Sequence, residues 1–220
     1  AERPFRAPHH NSSANAVAGG AGTGGRLPVP GEVTLAHQGV LFLDELPEFH
    51  RDVLETLRQP LEDGKITISR VAGQVTYPAH FQLIAAMNPC KCGWYGTSRC
   101  TCSPASVQQY LRRLSGPLLD RIDLQIAVQP VEYAALAARG QAAEEPSAAI
   151  RNRVCVARAV QYQRQGDGIC NARIPPAQLA LYCALSDDAS RMFAAAFERL
   201  GLTARAHDRV LRVARTVADL

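Results

Sequence analysis

Asp44 and Glu45 close the run "GVLFLDELPEF", Gly39 to Phe49, and are the residues whose types and spacing most directly suggest chemistry. Burying two adjacent carboxylates at the end of an apolar strand is costly unless a cation or a reaction occupies them. Magnesium takes hard oxygen ligands, often one carboxylate completed by waters and phosphate oxygens. A second carboxylate beside it can accept a proton from attacking water. The pair therefore reads as half of a nucleotide-hydrolysing site, at the carboxyl end of a parallel sheet where such ligands bind. The bland alternative is two solvated acids. No G-x-x-x-x-G-K-[ST] phosphate loop occurs in the 220 residues. The glycine-dense "AGGAGTGG" at 18–25 has no strand before it and no helix after it, so it reads as a flexible loop.

Other residues gain meaning from their order. Asn88 ends "FQLIAAMNP" and could hold an attacking water or a phosphate oxygen, although alone it reads as a strand cap or turn residue. Arg121 lies between two aspartates after a helix break. It has the form of an arginine that stabilises transition-state charge for a neighbour, or of an Arg–Asp surface pair worth little. Arg205, at the start of the final helix, shares that ambiguity. Arg70 near a hairpin tip, with Lys65, could touch nucleic-acid phosphates; a solvated turn is the equally simple account. The stretch "CKCGWYGTSRCTC" places Cys90-x-Cys92 and Cys100-x-Cys102 with seven residues between the pairs. Four such thiolates could hold a tetrahedral zinc, with reduced or redox-sensitive thiols as the alternative. His9-His10 lacks a third ligand at recognisable spacing and reads as a loop contact.

These residues need elements to position them. "VLFL" is a continuous apolar run, as for a strand buried on both faces of a parallel sheet. Pro47 starts a helix with Phe49, Val53, Leu57 and Leu61 on one face, closed by Asp63-Gly64. "KITIS" and "QVTYP" flank "RVAG" as a β-hairpin. "FQLIAAMNP" is a second buried strand, and "VQQYLRRLSGPLLDRIDL" is helix, break and a segment feeding a short strand, "LQIAV". Residues 131–146 look like a linker. Beyond it the chain is helical: Ile150, Val154 and Ala157 form one stripe, Phe193, Phe197 and Leu200 another, and Val210, Ala214 and Val217 a third. Ser186 and Thr203 are candidate N-caps and Gly201 follows a helix end. The fold class is α/β with a parallel sheet over 1–130, followed by a small all-helical domain over 147–220.

Composition excludes little else. Apolar residues make up 47%, enough for a core, and the net charge of +4 permits nucleic acid without arguing for it. No apolar run approaches the ~20 residues that span a bilayer, and no signal-peptide pattern appears. Seven cysteines, an odd number, suit a reducing cytoplasm better than a disulfide scaffold, and Cys155, Cys170 and Cys183 read as ordinary helix residues. The opening "AERPFRAPHH" already reads as loop, as expected of a piece of a longer protein.

The order "RPFRAPHH", "PGEVTLAHQGVLFLDELPEF", "AAMNPCKCGWYG", "CSPASVQQYLRRLSGPLLDRIDL" and "TARAHDRVLRVARTVADL" resembles the magnesium-chelatase-related AAA+ ATPases of bacteria, along nearly the whole chain. The resemblance implies a partial AAA+ core of P-loop type and a helical lid, assembled into a homo-oligomeric ring, a hexamer, that uses ATP and Mg2+. It implies a helicase that promotes branch migration on single-stranded or branched DNA during natural transformation. Asp44 and Glu45 match the Walker B pair, Asn88 sensor 1, Arg121 the arginine finger and Arg205 sensor 2. The "KITISRVAGQVTYP" hairpin sits where related helicases place a pore hairpin, which turns Arg70 toward DNA. The family's Lon-protease-like domain and Walker A loop are not among these residues, so the chain alone is expected not to hydrolyse ATP. Two other readings stay open: a chelatase-type motor remodelling a protein partner for metal insertion, and a non-enzymatic zinc-bearing module.

Overall fold

The computed structural model describes residues 2–21, 27–70, 73–129, 131, 133 and 145–220, and the chain divides into two compact units, 1–122 and 123–220. The first unit runs β1 (Phe5–Arg6), α1 (Ala14–Ala18), β2 (Gly19–Gly20), β3 (Val29–Pro30), α2 (Glu32–Leu35), β4 (Val40–Leu43), α3 (Arg51–Thr56), α4 (Arg58–Asp63), β5 (Lys65–Arg70), β6 (Gly73–Pro78), β7 (Gln82–Ala85), α5 (Pro104–Leu111) and α6 (Gly116–Leu119). Strands β1, β4 and β7 form a parallel sheet in that order, with Phe5 opposite Val40 and Leu43 opposite Ala85. A parallel sheet joined through helices is the expected α/β layout.

The sheet is covered less than the sequence suggests. Leu41 and Leu43 are fully buried, each burial stabilising by roughly 1.5–3 kcal/mol, while Val40 and Phe42 on the other face are only half-buried. Ile84, opposite Phe42, is 42% exposed, so "VLFL" is buried on one face and "FQLIAAMNP" is not a buried strand. The physical reason is that the described residues pack a core layer, including Val17, Val33, Val53, Leu54 and Leu57, against one face of the sheet. β1 at Phe5–Arg6 corrects the loop reading of the opening "AERPFRAPHH", and α1 and α2 beyond it bury Val17 and Val33 completely. Of the glycine-dense stretch at 18–25, Gly19–Gly20 form β2, paired with β3, rather than loop, and residues 22–25 lie outside the described residues.

The helix expected from Pro47 is present in pieces. A 3-10 turn spans Leu46–Glu48, and α3 and α4 meet at Leu57. Pro60 explains the break, because it lacks an N–H and its ring crowds the carbonyl four residues earlier, at Thr56. Val53 and Leu57 still reach the core, and Gly64 ends α4 at φ +65°, donating its N–H to Pro60 O at 3.0 Å. The hairpin β5–β6 is antiparallel, with Arg70 opposite Gly73, and buries Ile66 and Ile68 on one face.

The second unit contains α7 (Ser147–Gln165), short 3-10 turns at Asn171–Arg173 and Pro176–Gln178, α8 (Leu179–Tyr182), α9 (Asp187–Leu200) and α10 (Ala204–Asp219). Ser186 and Thr203 cap α9 and α10, accepting from the N–H groups of Ala189 at 3.3 Å and Ala206 at 3.2 Å. Its small core is Ile174, Leu179, Cys183 and Leu211. Three expectations fail here. Val210, Ala214 and Val217 are exposed, because α10 turns Leu211 inward instead. The stripe on α7 is only partly buried, with Ala157 inside and Ile150 and Val154 about half out. The segment "LQIAV" is no strand: among the described residues no strand pairs with it, and Ile126 and Val128 are 82% and 88% exposed. The proposed linker, 131–146, lies almost wholly outside the described residues, which there are only 131, 133, 145 and 146.

Candidate functional site

The acidic pair sits where two neighbouring parallel strands end. Ala86 donates its N–H to Leu43 O at 2.9 Å, and a regular parallel ladder would then bring the Glu45 N–H to Ala86 O. Instead Leu46 makes that bond, at 3.0 Å, so one extra residue bulges out of the strand at Asp44-Glu45. Glu45 takes the left-handed conformation there, φ 53° and ψ 45°. That backbone costs a residue with a Cβ about 1–2 kcal/mol. Buried Leu46 and Pro47 hold the turn from behind. The bulge turns both carboxylates outward, which corrects the expectation that they are buried: each residue is exposed.

Asp44 Oδ1 accepts the Glu45 N–H at 2.9 Å, and among the described residues nothing binds Oδ2. A pinned carboxylate with one oxygen facing water suits magnesium, which needs few protein ligands. Asn88 lies three residues beyond β7 and is exposed, so it shares the carboxyl end of the sheet with the acids. Two contacts were invisible in the sequence. His10 Nδ1 lies 2.9 Å from Glu45 Oε2, with its ring edge-on to Phe49 at 6.4 Å. Arg113 donates to Pro47 O at 3.1 Å and Glu48 Oε2 at 2.6 Å, bracing the turn that follows the acids. No local pattern announces His10, which is 35 residues from Glu45. The "HH" beside the later acid pair is the sole cue.

The arginines are placed differently. Arg121 donates to Pro117 O at 2.6 Å and pairs with Glu62; its side chain is 12% exposed, and its Nε has no hydrogen-bond partner among the described residues. Its partner is thus a glutamate on α4 rather than a flanking aspartate. Arg205 is exposed in the first turn of α10, within the second unit. The structure does not bring Lys65 and Arg70 together. They stand at opposite ends of β5, about 17 Å apart at strand rise, and alternation puts them on opposite faces. Arg70 is exposed and reaches Asn15 Oδ1 at 3.0 Å; tip residues 71 and 72 lie outside the described residues.

The four clustered cysteines do converge. Their sulfurs all lie within 4.8 Å of one another. Cys90 Sγ is 3.4 Å from Cys92 Sγ and 4.0 Å from Cys100 Sγ, and the latter two are 3.7 Å apart. Four thiolates about 2.3 Å from a tetrahedral zinc would stand about 3.8 Å apart, so the cluster could hold that ion. Backbone hydrogen bonds from Trp94 and Thr101, with the Cys90 thiol, pull the Cys92 thiol down to about 6. A backbone bond from Cys102 favours the Cys100 thiolate, but burial and the thiols of Cys92 and Cys90 push that thiol up to about 11. One thiol is thus ready to lose its proton while a crowded neighbour keeps it. All seven cysteines are free, and Cys155 on α7 is exposed.

Comparison with known proteins places this geometry. Residues 1–136 match the family described as magnesium chelatase, subunit ChlI, and residues 144–220 match that subunit's C-terminal part. Over 219 residues the chain is 47% identical to the competence protein ComM of Haemophilus influenzae and 46% identical to YifB of Salmonella typhimurium. It is 44% identical to YifB of Escherichia coli. Each alignment covers 100% of this chain and 42% of the relative, so the chain spans less than half the length of these proteins.

Proposed function

The chain belongs to the magnesium chelatase ChlI family, and from that premise we propose that it is the carboxyl-terminal portion of an AAA+ core with its helical lid, part of an ATP-driven motor that acts on DNA. The motor we propose is a helicase that drives branch migration as incoming DNA is integrated, a hexameric ring in the cytoplasm; likeness to a competence protein is what favours DNA as its substrate. Residues 1–130 form the core portion and 147–220 the lid, joined through 131–146.

The observation that carries the reading is the bulged, outward-facing Asp44-Glu45 pair, with Asn88 following β7 at the same end of the sheet. ATP would supply the free energy of the motor, and Mg2+ bound with it would neutralise the phosphates. Asp44 would hold the magnesium shell through its pinned carboxylate. Glu45 would take the proton of the attacking water, and His10 holds that carboxylate between turnovers. Asn88 positions the water. Arg121 acts on a neighbouring protomer's nucleotide, which requires its pair with Glu62 to open, and Arg205 senses nucleotide from the lid. With no phosphate loop in its 220 residues, this chain by itself has no turnover.

The test is DNA-stimulated ATP hydrolysis by the intact protein. Glu45→Gln should lower turnover by about 10²–10⁴-fold while ATP still binds. The family description also favours a chelatase-type motor that remodels a protein partner. ATP hydrolysis indifferent to single-stranded and branched DNA would select that reading. Unimpaired turnover in Glu45→Gln would remove Glu45 from the mechanism.

A further inference from the structure

The cysteine cluster clamps both ends of a loop, residues 93–99, whose composition a metal site does not require. Trp94 and Tyr95 are 45% and 57% exposed, flanked by Gly93 at φ +80° and Gly96 at φ +86°. A Cβ at either glycine would meet nothing within 4 Å, so it is the left-handed backbone that calls for glycine, and the two turns carry the aromatic pair outward. The tip is nevertheless braced. Thr97 donates to Trp94 O through its N–H at 3.1 Å and its hydroxyl at 2.8 Å, and the Arg99 guanidinium lies 5.0 Å above the Trp94 ring. Large aromatic faces held in water on a stiff loop are costly for folding and useful for stacking.

The charge on the loop narrows the partner. Lys91 and Arg99 flank it, and residues 64–119 contain no aspartate or glutamate; of the other cations in that stretch, Arg113 is paired with Glu48 and Arg70 stands on the β5–β6 hairpin. Lys91 and Arg99, both exposed, also offset the net charge of about −2 that a zinc tetrathiolate would place beneath the loop. A partner that is anionic along its backbone and offers flat faces is a nucleic acid with unpaired bases. In a duplex those faces are already stacked on each other.

We propose that the metal-clamped loop 93–99 is a stacking platform for single-stranded DNA, with Trp94 and Tyr95 against bases and Lys91 and Arg99 near phosphates. The proposal rests on the reading of the protein as a DNA motor and gives that motor a contact apart from the β5–β6 hairpin.

Trp94 is the single tryptophan of the chain, so the intrinsic fluorescence of the zinc-loaded 220-residue protein reports on the loop directly. Titration with an oligothymidylate should quench it saturably, and more weakly as salt is raised. A duplex of equal length, or heparin, should leave it unquenched. By polarisation of a labelled oligothymidylate, Trp94→Ala and Tyr95→Ala should each weaken binding by about tenfold, with Tyr95→Phe restoring it and zinc content unchanged throughout. A Trp94→Ala/Tyr95→Ala chain that keeps its zinc and binds the oligothymidylate as the wild type does would overturn the platform. So would a wild-type chain that does not bind it. DNA-stimulated hydrolysis by the intact protein is measured separately: its presence beside either result leaves the motor reading standing, and its absence removes that reading itself.

Discussion

Replacing Asp219 by alanine should unfold the helical unit far more readily than any surface change on it. The carboxylate is completely shielded from solvent. It accepts from Arg164 at 2.9 and 2.6 Å, from Arg215 at 3.1 and 2.8 Å, and from Asn171 Nδ2 at 2.8 Å. Those partners come from α7, the 3-10 turn at Asn171–Arg173 and α10, so one side chain ties three elements. Breaking a buried ion pair by removing one partner costs about 3–5 kcal/mol. The two guanidiniums left behind are 19% and 34% exposed, and Asn171 Nδ2 keeps Thr216 Oγ1 at 3.1 Å, so water and neighbours recover part of the loss. The low end, about 3 kcal/mol, is the expected cost. For a unit of 98 residues (123–220) this lowers the melting temperature by about 12–24 °C. Circular dichroism follows the helices, while Trp94 fluorescence follows the first unit, whose transition should not move. The pH dependence has a fixed sign. The Arg164 hydrogen bonds above all, with Asn171 and Arg215, hold the carboxyl well below its usual 3.8 despite its burial. Its contribution is therefore complete above pH 3.8 and is lost as pH falls through the lower folded value. The gap between wild type and variant should hold from neutrality to about pH 4 and shrink below it. A variant melting within about 4 °C of wild type would refute the reasoning, since that shift corresponds to a solvated pair.

Further outcomes follow from the cysteine cluster and two turns. Native preparations should carry about one zinc per chain, and Cys90→Ser/Cys100→Ser should lose it and destabilise the first unit; less than ~0.2 zinc per chain in wild type would count against the site. Gly64→Ala combines a left-handed backbone with a Cβ 1.9 Å from the His80 ring, so it should destabilise by roughly 2–4 kcal/mol. Gly201→Ala, at φ +59° in open space, should cost only about 1 kcal/mol, and equal denaturation midpoints for the two would argue against the close packing at His80.

Legibility in the sequence followed the range of the forces involved. The caps at Ser186 and Thr203, the turn at Gly64, the hairpin and the strand ending in Asp44 are each settled within a few residues, and each was readable. The four cysteines were readable as a set because both pairs belong to one short loop. What stayed hidden depended on partners distant in the chain. Helix α10 carries apolar residues at 210, 211, 213, 214 and 217, more than one face can hold, and only packing in the second unit selects Leu211 over Val210 and Val217. Asp219 was not singled out in the sequence; its i,i+4 spacing from Arg215 is a cue to one bond but not to Arg164, 55 residues away. The acid pair itself was found for a reason that only half held. Burial was the argument for its chemistry, yet the chain inserts an extra residue and accepts a left-handed Glu45 to put both carboxylates in water. A strand that merely ended in solvated acids would have no use for that strain. That strain at this turn, with His10 against Glu45, is a stronger argument for the proposed site than burial was.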